Sequence, residues 1–292
     1  MIILCLFQAV SLNIFCLNGG VAGNIAYTMA LLGHPCLLMA SVGNDAETYI
    51  NQLQNVGVDV SGIKFFEDEF TSSFFVSTDQ QNRQIASFFI GAMGRASEIH
   101  FHEQDYQQVK LAIISPNAPD AMDMYVDECQ EFNIPYVYDP SQQIPRSTCN
   151  TLRHGIDGAY MLIANDYELE LIKDKTRLSL DTLKGMVKVL IVTRGKEGST
   201  IYTEGERFHV PIVPVERIAD PTGVGDAYRA GLLAGHGQGL GWQEAGQVGS
   251  IAAAYVLEQV GTQKHNCTKA EFAQRYFQHF ERTPRLETFF EV

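Results

Sequence analysis

The chain has 292 residues, of which 46% are hydrophobic and 19% are charged. This balance is typical of a globular protein that buries a sizeable core, and it excludes a disordered chain. With 34 acidic against 21 basic residues the net charge is −13, which excludes a nucleic-acid partner but is compatible with binding a single nucleotide.

The N-terminal segment is apolar, and no Asp, Glu, Lys or Arg precedes Asp45. Met1 to Leu17 has no basic start typical of a signal peptide, contains Gln8, Ser11 and Asn13, and is short for a membrane span. We therefore expect a buried strand that leads into the first helix, and no membrane partner. A second interpretation is that the natural start has been lost or replaced.

Two features follow along the chain. Gly19 and Gly20 mark a turn before a helix over Ala22 to Leu32. The β-rich segments Ser73–Thr78 and Gln84–Ile90 flank the turn residues 79–82. They predict a hairpin, and residues 60–95 are expected to form part of a small β lid that projects from the main body.

The middle of the chain alternates between apolar strands and helical segments. Strands are predicted to end near residues 115, 139, 165 and 193, which lie 24, 26 and 28 residues apart. This spacing fits one strand plus one crossover helix, and near-continuous apolar strands indicate a parallel sheet covered on both faces. Ligands bind at the carboxyl ends of such strands. The polar residues predicted at those ends are Asn117, Asp139, Asn165, Thr193 and Arg194.

The last third begins with a second predicted hairpin, Ser199–Thr203 with Arg207–Pro211, and is then helical. Helices are predicted over Gly223 to Gly235 and Val248 to Glu258. No internal repeat or flexible linker interrupts the chain. The sequence therefore predicts one α/β domain over residues 1–292 with a lid-like insertion.

The segment Asp220-Pro-Thr-Gly-Val-Gly-Asp226 carries the clearest chemistry. It follows a β-type segment and opens a helix that is predicted from Ala227 onward. Gly223 and Gly225 let the backbone approach a ligand, and amides at a helix N-terminus bind anions. A carboxylate at Asp226, beside such a site, suits a general base that accepts a proton from an attacking hydroxyl. The alternative role for Asp226 is a helix N-cap.

Three motifs together resemble the PfkB, or ribokinase-like, kinases of sugars and nucleosides. The family signature D-T-x-G-A-G-D corresponds to DPTGVGD, and G-G-x-x-x-N corresponds to Gly19-Gly20-Val-Ala-Gly-Asn24. The N-x-x-E motif corresponds to Asn165-Asp-Tyr-Glu168. The resemblance covers residues 18 to 265. It implies a ribokinase-like three-layer sandwich with a mainly parallel central sheet, and an ATP-dependent phosphotransferase that uses Mg²⁺.

The resemblance also implies roles for individual residues. Asp226 is the expected base, and Glu168 with Asn165 is expected to organise Mg²⁺ through water. Asp220 and Thr222 resemble a monovalent-cation site, which implies K⁺. The remaining expected residues are Gly223, Val224 and Gly225 as the anion hole; Asn165, Thr193, Arg194, Gly195 and Gly198 at the nucleotide; and Gly20, Asn24, Asp139 and Arg229 at the acceptor.

Within the family the chain is most similar to adenosine and nucleoside kinases, which implies transfer to a nucleoside 5′-hydroxyl. The pieces that carry this likeness are Thr78–Gln84 with Gly91-Ala-Met93, Tyr138–Gln142 and Tyr228-Arg229. Aromatic residues of the lid could stack a purine, or could instead fill the lid's own apolar face or a dimer contact. These residues are Phe74, Phe75, Phe88 and Phe89. A sugar kinase of the ribose or fructose type remains the alternative.

The N-terminal region departs from the family pattern. Relatives begin with a strand ending near an Asp that holds the acceptor's hydroxyls, whereas only 18 residues precede Gly19 here and none is acidic. Ile2–Phe7 is a candidate for that strand, with Asn13 or Asn18 in place of the Asp. A catalytically impaired nucleotide-binding relative is therefore a third interpretation.

The six cysteines show neither C-x-x-C spacing nor a zinc pattern. We expect them to be reduced and mostly buried, which suits a cytoplasmic protein. Relatives often dimerise through the lid, so a homodimer is also expected.

Overall fold

The computed structural model describes residues 3–8, 14–34, 36–78 and 84–291, and the side chains of residues 17–34, 36–75 and 87–291. Its strands are β1 (Ile3–Gln8), β2 (Ile14–Leu17), β3 (Ala40–Gly43), β4 (Ile63–Phe66), β5 (Ser73–Thr78), β6 (Gln84–Phe89), β7 (Ala112–Ile114), β8 (Tyr136–Tyr138), β9 (Met161–Asn165), β10 (Val189–Thr193), β11 (Ser199–Tyr202) and β12 (Arg207–Val210). Its α-helices are α1 (Val21–Leu31), α2 (Glu47–Asn55), α3 (Pro119–Glu131), α4 (Cys149–Ile156), α5 (Asp166–Thr176), α6 (Leu180–Met186), α7 (Val224–Gly237), α8 (Trp242–Leu257), α9 (Lys269–His279) and α10 (Pro284–Phe290).

The main sheet has six strands in the order β12-β11-β10-β9-β8-β7. The strands β7 to β10 are parallel, as predicted from their apolar runs, and the predicted hairpin β11–β12 extends this sheet antiparallel to β10. All four parallel strands end within two residues of their predicted ends. The carboxyl ends of β8, β9 and β10 therefore meet at one edge, where Asp139, Asn165 and Thr193 stand.

Helices cover both faces of this sheet, which makes the predicted three-layer sandwich. Along β10, Leu190 and Val192 pack into a core with α3, α4, α5 and α6. The alternate residues Val189 and Ile191 pack into a core with α7 on the opposite face. This alternation explains the continuous apolar runs, because successive side chains of a strand point to opposite faces and here both faces are buried.

A second sheet has four strands in the order β2-β1-β5-β6, and it contains the hairpin predicted for the lid. The hairpin of β5 and β6 is confirmed by its antiparallel register, although turn residues 79–82 lie outside the described part of the chain. A strand was predicted over Ile2–Phe7, and β1 over Ile3–Gln8 corresponds to it; this strand pairs in parallel with β5. Residues 63–66, expected in the lid region, form β4 and pair in parallel with β3.

Helices α7 and α8 pack against each other at very short range. A Cβ added at Gly231 would lie 2.7 Å from the Val248 carbonyl oxygen and 2.8 Å from the Gly249 Cα. Both of these neighbours are backbone atoms, which cannot rotate out of the way. Glycine is thus required at residue 231 for α7 to approach α8.

Replacing Gly231 by alanine is expected to lower the free energy of unfolding by about 1–3 kcal/mol, because the added methyl group overpacks this contact. The matched control is Gly237→Ala in the same helix, where an added Cβ meets nothing within 4 Å. The control should be neutral or stabilising by up to about 1 kcal/mol through helix propensity. Urea unfolding of both variants measures the difference, and equal stabilities would contradict the packing account.

Two observations concern membrane-spanning helices and the state of the cysteines. Among the described helices, none combines the length and the apolar character needed to cross a membrane. Cys36, Cys129, Cys149 and Cys267 are free thiols, and of these Cys129 is buried while Cys149 is exposed.

Candidate active site

The segment Asp220–Asp226 lies at the N-terminus of α7. The helix begins at Val224, one residue after the start of the predicted span Gly223 to Gly235 and three residues before Ala227, and Gly223 precedes it with a left-handed φ of 80°. A side chain at residue 223 would also collide with Thr262, since an added Cβ would lie 2.8 Å from its methyl carbon. The amides of residues 223–225 therefore stand at the start of a 14-residue helix, where the helix dipole favours an anion.

Asp226 sits in the first turn of α7, with a side chain that is 13% exposed. Its Oδ2 accepts a hydrogen bond of 2.7 Å from Asn24 Nδ2, and its Oδ1 lies 3.6 Å from a guanidinium nitrogen of Arg229. Burial raises the pKa of the Asp226 carboxyl, and the Arg229 charge and the Asn24 hydrogen bond partly oppose that rise. The nearby Glu168 charge raises the pKa further. A carboxylate with a raised pKa is a stronger base.

A hydrogen-bond chain leads from Asp226 into the core. Gln263 Nε2 donates to Asn24 Oδ1 at 3.0 Å and to the Tyr49 hydroxyl at 2.8 Å. Because Asn24 Oδ1 accepts from Gln263, its amide group is held so that Nδ2 faces Asp226. Neither Gln263 nor Tyr49 was identified from sequence, since neither belongs to a motif and Gln263 is 239 residues from Asn24.

A buried ion pair lies beneath Asp226. Arg229 donates a hydrogen bond of 2.7 Å to Asp139 Oδ1, and Asp139 has no exposed surface. The second oxygen of Asp139, Oδ2, has no hydrogen-bond partner in the structure. Burial raises the pKa of Asp139 and the Arg229 charge opposes the rise. Asp139 was expected at the acceptor, but in this structure it lies below the site surface as the partner of Arg229.

The N-x-x-E motif forms the start of α5. Asn165 Oδ1 accepts from the Glu168 amide and Glu168 Oε2 accepts from the Asn165 amide, both at 2.8 Å, which is a capping box. The motif therefore has a structural role as the N-terminal cap of α5. Glu168 Oε1 accepts only a longer bond, 3.2 Å, from the Ser141 hydroxyl. The Glu168 carboxylate lies near Asp226 and Asp139, since its charge raises the pKa of both carboxyl groups.

The residues expected at the nucleotide follow β10. Thr193 is the last residue of β10, and a short 3-10 turn over Gly195–Glu197 separates it from Gly198 and β11. The turn is closed by a 2.7 Å hydrogen bond from the Arg194 amide to the Gly198 carbonyl. The Arg194 side chain donates to the Thr200 hydroxyl at 2.5 Å, within the same hairpin. These residues share the carboxyl edge with Asn165, since β9 and β10 pair Asn165 with Thr193.

Asp220 and Thr222 stand just before the anion-hole residues. Asp220 Oδ1 accepts from the Thr222 amide at 2.8 Å, and its Oδ2 accepts from the Gly261 amide at 3.1 Å. The Oδ2 bond ties the loop before α7 to the chain after α8, whereas the Oδ1 bond stays within that loop. A monovalent cation here would take further ligands from backbone carbonyls.

The N-terminal candidates lie at and before the start of α1, where Asn24 contacts Asp226. Gly20 caps α1 with a φ of 109°, and its carbonyl accepts from the Asn24 amide. The Asn18 side chain donates to Gln52 Oε1 at 2.7 Å, and Asn13 lies outside the described residues. Of the four lid phenylalanines, Phe89 is exposed and Phe74, Phe75 and Phe88 are partly buried.

Comparison with known proteins agrees with this arrangement. The model of the pfkB family of carbohydrate kinases matches residues 14–269. A nucleoside kinase from Methanocaldococcus jannaschii is 30% identical over 265 residues, covering 89% of this chain and 86% of that protein. The nucleoside kinase from Burkholderia thailandensis in complex with ADP-inosine superimposes with a TM-score of 0.89 at 32% identity, covering 96% of this chain and 94% of that one. The same enzyme in complex with inosine gives a TM-score of 0.86 at 33% identity, covering 95% of each chain.

Proposed function

The chain belongs to the PfkB family of carbohydrate kinases, and we propose that it transfers the γ-phosphoryl group of ATP to the 5′-hydroxyl of a nucleoside. The observation that carries this proposal is the Asp226 carboxylate beside the amides of the α7 N-terminus, where the Val224 amide makes only a long hydrogen bond of 3.4 Å to the Pro221 carbonyl. Asn24 and Arg229 fix that carboxylate from two sides. The site therefore holds a base and an anion-binding backbone within one helical turn.

In the proposed mechanism, Asp226 accepts the proton of the acceptor hydroxyl as its oxygen attacks the γ-phosphorus. The amides of Gly223, Val224 and Gly225 donate to the oxygens of the transferring phosphoryl group and stabilise their negative charge. Phosphoryl transfer depends chiefly on positioning and electrostatic stabilisation, so a preformed helix N-terminus suits it. The nucleotide lies along the carboxyl edge of β9 and β10, near Asn165, Thr193, Arg194, Gly195 and Gly198.

A Mg²⁺ ion fits the donors at this edge. Glu168 Oε1 is a hard carboxylate oxygen with only one weak hydrogen bond, and it is free to hold a metal-bound water. Bound there, Mg²⁺ would neutralise charge on the nucleotide phosphates. A K⁺ ion beside Asp220 and Thr222 is the corresponding proposal for a monovalent cation.

The nucleoside acceptor is supported by similarity. The Burkholderia enzyme was crystallised with inosine and with ADP-inosine. Its likeness covers 95–96% of this chain. We assign Gly20 and Asn24 to acceptor binding. Arg229 contacts Asp226 and is itself held by Asp139, so this pair supports the base.

An acceptor panel tests the proposal. Purified chain, labelled ATP and Mg²⁺ are incubated with inosine, adenosine, cytidine, ribose and fructose, and kcat/KM is measured for each acceptor. We expect the nucleosides to exceed both sugars. Higher kcat/KM for ribose or fructose would instead support the sugar-kinase alternative, and nucleotide binding without turnover on any acceptor would support the impaired relative.

The activity should fall as the solution is acidified. Asp226 acts only when deprotonated, and burial raises its pKa, so kcat/KM is expected to drop as pH falls through that raised pKa. The midpoint of the acid limb should lie above the ordinary Asp pKa of about 3.9. Initial rates across pH measure the limb, while circular dichroism at each pH verifies that the chain stays folded. A midpoint at or below the ordinary value in folded protein would contradict the burial of the base.

A further inference from the structure

A cluster of three metal-binding side chains lies outside the active site. His100 and His102 flank Phe101 at the end of the segment before β7, and Glu128 lies on α3. One potential ligand atom from each residue lies within 4.8 Å of the other two. Among the described residues, this is the group of three His, Cys, Asp or Glu side chains whose ligand atoms lie close enough to share a metal ion.

Glu128 is held in a fixed position. Its side chain is 11% exposed, and its Oε2 accepts a 2.8 Å hydrogen bond from the Phe101 amide. The second oxygen, Oε1, is 2.5 Å from His100 Nδ1 and 4.0 Å from His102 Nδ1. A single carboxylate oxygen therefore faces both imidazoles.

The two imidazoles are arranged side by side. Their ring centroids are 4.9 Å apart with an angle of 28° between the planes. His100 is one third exposed and His102 is 57% exposed, so one side of the cluster is open to water. The Phe101 ring is buried in the main core, which fixes the backbone between the two histidines.

We propose that His100, His102 and Glu128 form a binding site for a transition-metal dication, Zn²⁺ in the first instance, with water completing the coordination. Zinc bonds to histidine nitrogen and carboxylate oxygen are about 2.0–2.2 Å long, which places tetrahedral ligands about 3.3 Å apart. The observed 2.5 Å and 4.0 Å separations bracket that value. Small side-chain rotations would have to bring all three ligand atoms, which lie within 4.8 Å of one another, to that separation.

A plain hydrogen bond explains the contact of His100 with Glu128 but not the position of His102. At 4.0 Å, the His102 Nδ1 is beyond hydrogen-bond reach of Glu128, yet its ring lies against His100. Two imidazoles and one carboxylate favour borderline transition metals over Mg²⁺ or Ca²⁺, which prefer oxygen ligands.

The site is separate from the kinase chemistry. Helix α3 starts directly beyond the carboxyl end of β7, and Glu128 is nine residues after its first residue, Pro119. At about 1.5 Å per residue, the carboxylate lies about 13 Å along the helix from that end. Zinc at this cluster is therefore expected to leave Asp226 untouched.

Zinc titration of the full-length chain, freed of any tag and treated with a chelator, tests the proposal by calorimetry. We expect one Zn²⁺ per chain, and no binding of Mg²⁺ at this cluster. His102→Ala removes a proposed ligand and should weaken the zinc affinity by at least about 10–100-fold, which is the loss that follows when only a residue supporting a ligand is removed. The matched control is His154→Ala, because His154 is also a partly exposed histidine paired with a carboxylate of α3, Asp127, at 2.8 Å.

The variants separate a built site from adventitious binding. His102 is mostly exposed, so its replacement should not unfold the chain, and Glu128→Gln gives a second test that retains an acceptor for the Phe101 amide. Zinc affinity unchanged in both His102→Ala and Glu128→Gln would overturn the proposal. So would an equal loss in His154→Ala, because zinc would then bind surface histidines in general.

Discussion

Replacing Asp226 by asparagine is expected to lower kcat by about 10²–10⁴-fold while leaving ATP affinity within about threefold of the unmodified chain. Asparagine has nearly the same shape and can still accept the hydrogen bond from Asn24 Nδ2. It cannot accept the proton of the attacking hydroxyl. The amides of residues 223–225 are unchanged, so the phosphates keep their anion site.

The measurement is single-turnover phosphoryl transfer beside ATP titration by calorimetry. Asp174→Asn is a matched control, because it removes the same charge from an exposed residue of α5. The control should retain full turnover. Turnover within tenfold of the unmodified chain in Asp226→Asn would contradict the assignment of the base, and a joint loss of ATP binding would indicate a structural role instead.

Replacing Arg229 by methionine is expected to destabilise the chain by about 3–5 kcal/mol. The change leaves the Asp139 carboxylate fully buried with neither oxygen paired, since Oδ1 loses Arg229 and Oδ2 already has no partner. It also removes the cation 3.6 Å from Asp226. The pKa of Asp226 should therefore rise further, and the acid limb of kcat/KM should move to higher pH.

A double-mutant cycle separates the pair from the individual residues. Combining Arg229→Met with Asp139→Leu removes both charges, and replacing a buried ion pair by apolar groups is often neutral or stabilising. We expect the double variant to recover most of the stability lost by Arg229→Met. Arg282→Met is the exposed control, because Arg282 and its partner Glu287 are both largely exposed and their pair should contribute about 0–1 kcal/mol. Stability of Arg229→Met within 1 kcal/mol of the unmodified chain, as measured by urea unfolding, would contradict the buried-pair account.

The main sheet could be predicted because its signal is local. Four strands buried on both faces give continuous apolar runs, and one crossover helix between neighbours gives a regular spacing. The polar residues at the strand ends then converge by topology alone. Asp139, Asn165 and Thr193 do stand at that edge, as their positions after β8, β9 and β10 required.

The lid could be predicted only in part, since its pairing is not local. A hairpin such as β5–β6 is visible from two neighbouring β-type segments. The parallel pairing of β1 with β5 joins segments about seventy residues apart, and no pattern in either segment specifies the partner. For the same reason, the partnership of β3 with β4 was not foreseen.

The first residue of α7 was hard to predict for a different reason. Two glycines and a β-branched residue have low helix propensity, so the sequence left the first helical residue open between Gly223 and Ala227. In the folded chain, Gly223 has a left-handed φ and faces Thr262 from a distant loop, which leaves room only for glycine. Tertiary packing here overrides local preference and brings the anion-hole residues into the first turn.

The contacts that hold Asp226 in place could not be predicted from the sequence either. Arg229 and Asp139 were both identified by resemblance, but their direct bond joins residues 90 positions apart. The pairing assigns them a supporting role below Asp226. Gln263 and Tyr49 complete the support of Asn24 without belonging to any motif.

Product analysis with inosine tests the central claim most directly. The purified chain is incubated with ATP, Mg²⁺ and inosine, and ADP and phosphorylated nucleoside are quantified by chromatography and mass spectrometry. If Asp226 is the base for phosphoryl transfer from ATP to inosine, ADP and inosine 5′-monophosphate should form in equal amounts, and both should form about 10²–10⁴-fold more slowly in Asp226→Asn. ADP released without any phosphorylated nucleoside, or inosine 5′-monophosphate formed at the same rate by Asp226→Asn, would contradict it.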